Sequence, residues 1–414
     1  MIEYVAPAGA PIRLTDLGRW AKSGFSGRGA ADALQRRICG RFGVRHAFPT
    51  VTGRAGMTLL LRAMRRLAPP ERVEVVLPSY TCYSVAASIV KAGLHPRLLD
   101  ITPETLDYDG RLRDGADYSR TLAVIATNLY GLPNDLPALE QLSRRHGLFL
   151  IDDAAQAMGA SIGGRCSGSF GDAGLFSFDK GKNVAAVDGG LVVTNRDDVA
   201  AAVSDELANA SLPSPTASAV HIFKALAYAA MLHPWLYGLP ARIPQLGLGR
   251  TIFSTEFELS RIDPPLARLA LTMMSRLEEF TARRLANATA LGEGMSALPG
   301  IRGIRPLAGA APVYLRMPVL FETTESRDAA VRALNHAGIG ATASYPASLA
   351  DVPELRSMLG TTHGAAAGGR FVAARIATLP THPYVSERAI ARTLAVLRGC
   401  LLPSASAPQV AAAG

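Results

Sequence analysis

Two carboxylates and two lysines occupy the positions in this chain where chemistry is easiest to imagine. Asp152 and Asp153 close a short apolar run, Leu148 to Ile151, and Lys180 and Lys182 close a second, Gly174 to Phe178, just after Asp179. A third run, Gly190 to Thr194, follows Gly189. Short apolar runs bounded by glycine and charge read as buried strands that present the charged residues at their ends. A lysine and a carboxylate brought to one end of a sheet can perform the chemistry of pyridoxal 5'-phosphate (PLP). The amine attaches to the aldehyde, and the carboxylate keeps the pyridine nitrogen protonated so that the ring withdraws electrons. A lone surface lysine or a lone surface aspartate would be commonplace; the paired placement carries the reading.

The elements that must position these residues alternate in type. Val73 to Pro78, Leu94 to Asp100 and Leu122 to Thr127 read as strands, and Ala31 to Phe42 and Leu136 to His146 as helices, with Gly43 a stop for the first of them. VTGRAGMTLLLRAMRRL, from Val51 to Leu67, reads as a loop and an amphipathic helix. Thr52, Gly53, Arg54 and Ala55 lie at its start, where free N–H groups and the helix dipole favour a phosphate. Such alternation predicts an α/β fold with a mostly parallel sheet covered on both faces, and ligands beyond the carboxyl ends of the strands.

The segments DDAAQAMGA, GSFGDAGLFSFDKGKN and DGGLVVTN resemble the signature of the DegT/StrS-type (DegT/DnrJ/EryC/StrS) sugar aminotransferases, which are fold-type-I PLP enzymes. The resemblance covers residues of roughly 30–198 well and 265–400 more thinly. It implies that Asp153 serves the ring nitrogen, Gln156 the ring hydroxyl, Ser177 the phosphate, and Lys182 the covalent attachment. The Ser-Phe-x-x-x-Lys spacing favours Lys182 over Lys180. Gly53, Arg54 and Ala55 match the phosphate loop, where the family usually has Ser-Gly-Thr-Ala, so Arg54 puts a cation in place of a hydroxyl. An aromatic ring commonly lies on the pyridine face. Cys82 stands at that position here with Tyr83 beside it, and either could serve. Asn128 stands where the family has the histidine of His-Leu-Tyr-Gly. Tyr345, in SYPASL, and His382, in the Leu-Pro-x-x-Pro turn, are further substrate candidates. The resemblance implies an amino donor, glutamate for choice, and a keto-sugar acceptor, most often nucleotide-linked, with a cyclitol ketone also known for the family. It also implies a homodimer with shared active sites. A dehydratase or regulatory member is the alternative, but the dehydrating relatives replace the lysine with histidine, and Lys182 counts against them.

The expected organisation is a large PLP-binding domain over residues 1–265, a bridging helix and small C-terminal α+β domain over 266–403, and a disordered tail from 404 to 414. Leu266 to Leu291 reads as one long helix, and Val313 to Phe321 and Ile339 to Ser344 as strands of the small domain. Residues 205–262 depart most from the family, whose short Gly-x-Asn-x-Arg loop is not found there. An apolar stretch within them, 220–249, carries Phe223, Tyr228, Trp235 and Tyr237. It reads as a buried insertion, a surface-lying segment that touches a membrane, or the lining of a pocket for a lipid-like ketone.

The 414 residues are 49% hydrophobic and their formal net charge is +9. The basic residues are scattered with no nucleic-acid motif, so no nucleic-acid partner is expected. Four cysteines lie far apart with no C-x-x-C pairing, and the eight histidines are dispersed. Neither a disulfide framework nor a metal site is expected, and the reading is cytoplasmic with peripheral membrane contact left open. No Gly-x-Ser-x-Gly elbow is present, and the GKN at Gly181 lacks the spacing of a P-loop.

Overall fold

The computed structural model describes residues 3–24, 29–241, 252–359 and 366–402. Part of the Ser23–Gly29 loop, residues 242–251 of the apolar insertion, and the expected disordered tail at 404–414 lie outside the described residues. Nine strands lie in the first half of the chain. They are β1 (His46–Thr50), β2 (Glu74–Pro78), β3 (His95–Leu99), β4 (Thr121–Thr127), β5 (Phe149–Asp153), the two-residue β6 (Ser161–Ile162) and β7 (Arg165–Cys166), β8 (Ala173–Ser177) and β9 (Gly190–Thr194). Seven of these form one sheet in the order β1-β9-β8-β5-β4-β2-β3. The pairs β2–β3, β2–β4, β4–β5 and β5–β8 are parallel, and only β9 runs against its neighbours.

All seven residues of β4 are buried, as a strand covered on both faces requires. Ile125 and Ile151 pack with Met57, Leu60 and Met64 of the Gly53–Leu67 helix. Val124, Ala126 and Leu150 pack with Leu136 and Leu139 of the Leu136–His146 helix on the other face. The strand ends that matter here are therefore held between two cores. The return of β9 brings Gly189 alongside Thr52. A Cβ on Gly190 would lie 2.4 Å from the Thr52 backbone, so the Gly-Gly pair is needed for β9 to pass the start of the Gly53–Leu67 helix.

The later strands are β10 (Ile301–Gly303), β11 (Ala310–Ala311), β12 (Arg316–Phe321) and β13 (Ile376–Pro380). β10, β12 and β13 form a three-stranded antiparallel sheet, while β11 pairs with β6. The helices Leu277–Met295, Thr324–His336 and Glu387–Leu401 bury apolar residues in the core under this small sheet. The chain's first residues reach the same core: Val5 is fully buried there and pairs with Ile339.

Two expected elements differ. The single helix predicted from Leu266 to Leu291 is two helices, Pro264–Met274 and Leu277–Met295. At the break between them Arg276 pairs with the fully buried Asp16 at 3.0 Å. Ile339 to Ser344 is no strand. Its Ile339 and Thr342 each make one isolated bridge, and Ser344 turns into the left-handed region at φ 57°.

The apolar insertion forms the helices Pro215–Met231 and Pro234–Ala241. One side packs on the Pro264–Met274 helix and buries Ala225 and Leu232. Val220, Phe223, Leu226 and Trp235 remain exposed, Phe223 at 71%. Among the described residues no helix is long and apolar enough to cross a membrane.

Candidate active site

The carboxyl ends of β1, β8 and β5 open onto one cavity of about 340 Å³. Its walls include Thr52, Gly53, Arg54, Cys82, Asp153, Ser177 and Lys182. A smaller space of about 30 Å³ continues past Asp153 and Lys182 to Thr81, Thr127, Asn128 and Gln156. Asp153 and Lys182, 29 positions apart in the chain, thus face the same space. Asp153 is buried and accepts a hydrogen bond from Ala155 N–H at 3.0 Å. Burial pushes its carboxyl above the ordinary value, against the Ala155 N–H and the charge of Lys182, which favour the carboxylate.

At one end of the cavity Thr52 caps the Gly53–Leu67 helix, its Oγ1 accepting from Ala55 N–H at 3.1 Å. The Gly53 and Arg54 N–H groups head the helix, where no intrahelical acceptor exists. A Cβ on Gly53 would stand 3.5 Å from Ser177 Oγ, so backbone and hydroxyl converge there. This is a cradle for a phosphate. The Arg54 guanidinium does not complete it. It lies over the Phe257 ring, 4.9 Å from the centroid, and Lys91 Nζ approaches the same ring at 4.7 Å.

Cys82 reaches the cavity wall, with its Sγ accepting from Ser84 Oγ at 3.0 Å. Tyr83 turns away: its hydroxyl pairs with the backbone of Ala347, and its ring lies beside Tyr345. Gln156 is held from two sides. Tyr130 N–H donates to its Oε1 at 3.0 Å, and its Nε2 donates to the Tyr345 hydroxyl at 2.9 Å. Tyr345 accordingly lies behind Gln156, outside both cavities. Asn128 borders the smaller space, but its side chain is engaged internally, donating to Asp152 Oδ1 and to the Asp153 carbonyl and accepting from Asn134 N–H. His382 is fully buried away from the cavity, and its Nε2 meets the Ala6 carbonyl at 2.8 Å. The structure therefore brings Lys182, Asp153, Gln156, Ser177, Gly53 and Cys82 together, and leaves Tyr83, Tyr345 and His382 outside.

Several residues at the site are not among the expected site residues. The hydroxyls of Thr81 and Thr127 are buried without a partner and lie beside Asp153. Asp179 and Asp188 line the larger cavity. Burial raises the Asp188 carboxyl, and the charge of Asp179 adds to the effect. Asp188 could have been suspected as the one carboxylate between Lys182 and the Gly-Gly pair. Among the described residues there is no cluster of His, Cys, Asp and Glu able to hold a metal.

These residues fit PLP on the structure's own terms. A buried carboxylate suits the ring nitrogen, a lysine the aldehyde, a helix-start cradle with Ser177 the phosphate, and two residues with orphaned hydroxyls line the smaller space.

Curated relatives match part of the chain. The chain is 39% identical over 163 residues to a UDP-N-acetyl-3-dehydro-alpha-D-glucosamine 3-aminotransferase of Acidithiobacillus ferrooxidans, covering 39% of this chain and 43% of that one. It is 38% identical over 159 residues to GDP-perosamine synthase of Caulobacter vibrioides, covering 38% and 42%. The matched part thus spans about two fifths of the length of these relatives. Over the whole fold, the crystal structure of DesV from S. venezuelae superposes with a TM-score of 0.75 at 25% identity, covering 94% of each chain. The architecture is that of fold-type-I PLP-dependent transferases. Residues 14–398 match the model of one family, and the chain belongs to it: the DegT/DnrJ/EryC1/StrS aminotransferases.

Proposed function

We propose that this protein is a PLP-dependent aminotransferase that moves an amino group from an amino acid, glutamate in this reading, to a keto-sugar, most readily a nucleotide-linked one. The observation that carries the reading is the shared cavity, in which Lys182 and Asp153 face each other's space with the phosphate cradle at one end. When bound, PLP supplies an aldehyde and an electron-withdrawing ring able to stabilise charge at a donor's α carbon. Thr52, Gly53 and Ser177 hold the phosphate. Asp153 opposes a positive ring nitrogen, and its burial makes that interaction strong. The Lys182 amine would hold the aldehyde and is placed to hold or pass a proton at the donor's α carbon. Gln156, fixed by Tyr130 and Tyr345, presents its carboxamide to the ring hydroxyl. One of the relatives is named for a 3-dehydro nucleotide-sugar substrate and another for a nucleotide-sugar product, which supports the choice of acceptor.

The active unit in this proposal is a homodimer. The exposed Phe223, Leu226 and Trp235 form an apolar face that a second copy would cover, and Ile252, 75% exposed, lies at the cavity mouth. The test is an absorbance spectrum of the protein with PLP, before and after glutamate, beside Lys182→Ala, with light scattering on the same sample. A visible band that converts to the amine form of the cofactor in the wild type only, from a particle of twice the chain mass, is expected. A wild-type band that no amino acid alters would refute the transaminase reading, and a monomer with full activity would refute the dimer.

A further inference from the structure

Two guanidinium groups near the lysine loop are in no ion pair among the described residues. Arg284, in the Leu277–Met295 helix, is fully buried; it donates to the carbonyls of Leu315 at 2.8 Å and Gly9 at 2.6 Å, and its Nε has no partner. Burial lowers its pKa to about 9. Arg316, at the start of β12, is half-buried, and its one hydrogen bond runs from Nη1 to Thr342 Oγ1 at 3.3 Å. Neither forms an ion pair among the described residues, and the segments outside them contain no aspartate or glutamate. Buried charges without a partner are costly and are kept where a ligand supplies the partner.

The place of Arg316 narrows the ligand. Its Nη2 lies 3.8 Å from the position a Cβ on Gly181 would take, against the residue that precedes Lys182. Its charge reaches the hydroxyls of Tyr130 and Tyr345, opposing the burial that raises both. Those tyrosines hold Gln156, so Arg316 lies at the Gln156 side of the site, whereas the phosphate cradle of Thr52, Gly53 and Ser177 lies elsewhere along it. The cofactor's phosphate is thus provided for without Arg316. An amino donor has to bring its amine to the place of the Lys182 amine, and in an α-amino acid the carboxylate is only two bonds from that amine. With Nη1 engaged by Thr342, Nη2 and Nε remain as a planar pair of donors, the geometry a carboxylate matches.

We propose that Arg316 is the recognition site for the carboxylate of the amino donor, with the buried Arg284 behind it adding to the positive potential. The proposal rests on the aminotransferase reading above.

The test uses the PLP-loaded protein and its Arg316→Gln and Arg316→Lys variants. The donor half-reaction with glutamate is followed by absorbance, without any acceptor. In Arg316→Gln the cofactor spectrum should be unchanged, while the glutamate concentration giving half the limiting rate rises about tenfold or more and the limiting rate moves much less. Arg316→Lys, which keeps the charge but not the fork, should fall between. Glutarate, an unreactive dicarboxylate, should compete with glutamate and raise the melting temperature of the wild type but not of Arg316→Gln; glutaramide should do neither. Unchanged glutamate saturation in Arg316→Gln, or a defect confined to acceptor saturation, would overturn the proposal. If Arg316→Gln failed to retain PLP, the Arg316→Lys saturation curve and the glutarate shift of the wild type would decide. A wild type that no amino acid converts would sink the transaminase reading itself, and the glutarate shift would still report whether Arg316 binds a carboxylate.

Discussion

Asp152 and Asp153 are neighbours in β5 and point to opposite faces, as successive strand residues must. Asp152 is fully buried and accepts from Asn128 Nδ2, Gly168 N–H and Phe170 N–H, so it ties β5 to the loops on either side. Asp153 meets the cavity. The sequence could tell the two apart only through the resemblance to a family; the motif and the strand ending were legible, but which of two adjacent carboxylates faces the ligand depends on the pleat. Arg54 shows the opposite case. A cation at a helix start reads naturally as a phosphate ligand, yet its side chain is drawn to Phe257, about 200 positions away, a contact that no local pattern encodes. Arg316 was invisible for the same reason, since its meaning lies in its approach to Gly181, 135 positions away, and in its forming no ion pair among the described residues. At Asp153 the structure makes a discriminating prediction. Because burial already favours the neutral carboxyl there, Asp153→Asn should fold with an unchanged or higher melting temperature. Its turnover should nevertheless fall about a hundredfold or more, since only the charge facing the ring nitrogen is lost. A variant that loses stability and activity in parallel would show that Asp153 is chiefly structural.

At the scale of elements, the strands and helices of the large sheet were readable because each is a short, uniformly apolar run with a glycine or charged boundary. The segment from 205 to 262 was not, because an apolar stretch has no period that distinguishes packing on its own protein from packing on something else. The structure gives its helix Pro215–Met231 two sides with different surroundings. On the inner side the Tyr228 hydroxyl donates to the Lys180 carbonyl at 2.5 Å and accepts from Ala10 N–H at 3.0 Å. It thereby pins the loop that carries Lys182 to the N-terminal segment. Burial pushes this hydroxyl well above its ordinary range, so it stays a neutral donor at all working pH values. Tyr228→Phe would leave the buried Ala10 N–H and the Lys180 carbonyl unpaired. The expected cost is about 1–3 kcal/mol in urea-induced unfolding. Proteolysis within 179–188 should also become faster, since the loop has lost its tether. Equal stability and equal protection in Tyr228→Phe would mean that the insertion helix merely rests on the loop.

Across the whole molecule, the buried titratable groups outside the cavity decide how stability responds to acid. His382 is held neutral: burial, aided by the charges of Arg284 and Arg316, lowers its pKa to about 3, against 6.5 for a free histidine. The unfolded chain binds a proton at this residue below about pH 6.5 and the folded chain does not, so stability falls as the pH drops toward 3. Asp152 works in the other direction. Burial raises it to about 7 from 3.8, so the folded chain keeps a proton that the unfolded chain releases, and stability rises as the pH falls through that window. Asp107, raised by burial to about 6, has the same sign as Asp152. Between pH 4 and 6.5 these slopes oppose each other within one fold. Removing His382 should therefore unmask the carboxylates. His382→Gln keeps a donor for the Ala6 carbonyl but no longer titrates. Compared with the wild type, it should gain on the order of 2 kcal/mol between pH 7.5 and pH 4.5 in unfolding free energy. Urea titrations of both proteins at those two pH values measure the difference directly. If the gap between them did not change with pH, His382 would have to take up its proton at the same pH in the folded as in the unfolded chain, and at pH 4.5 its contact with Ala6 would be an ion–dipole interaction instead of the neutral hydrogen bond that joins the first residues of the chain to the small sheet.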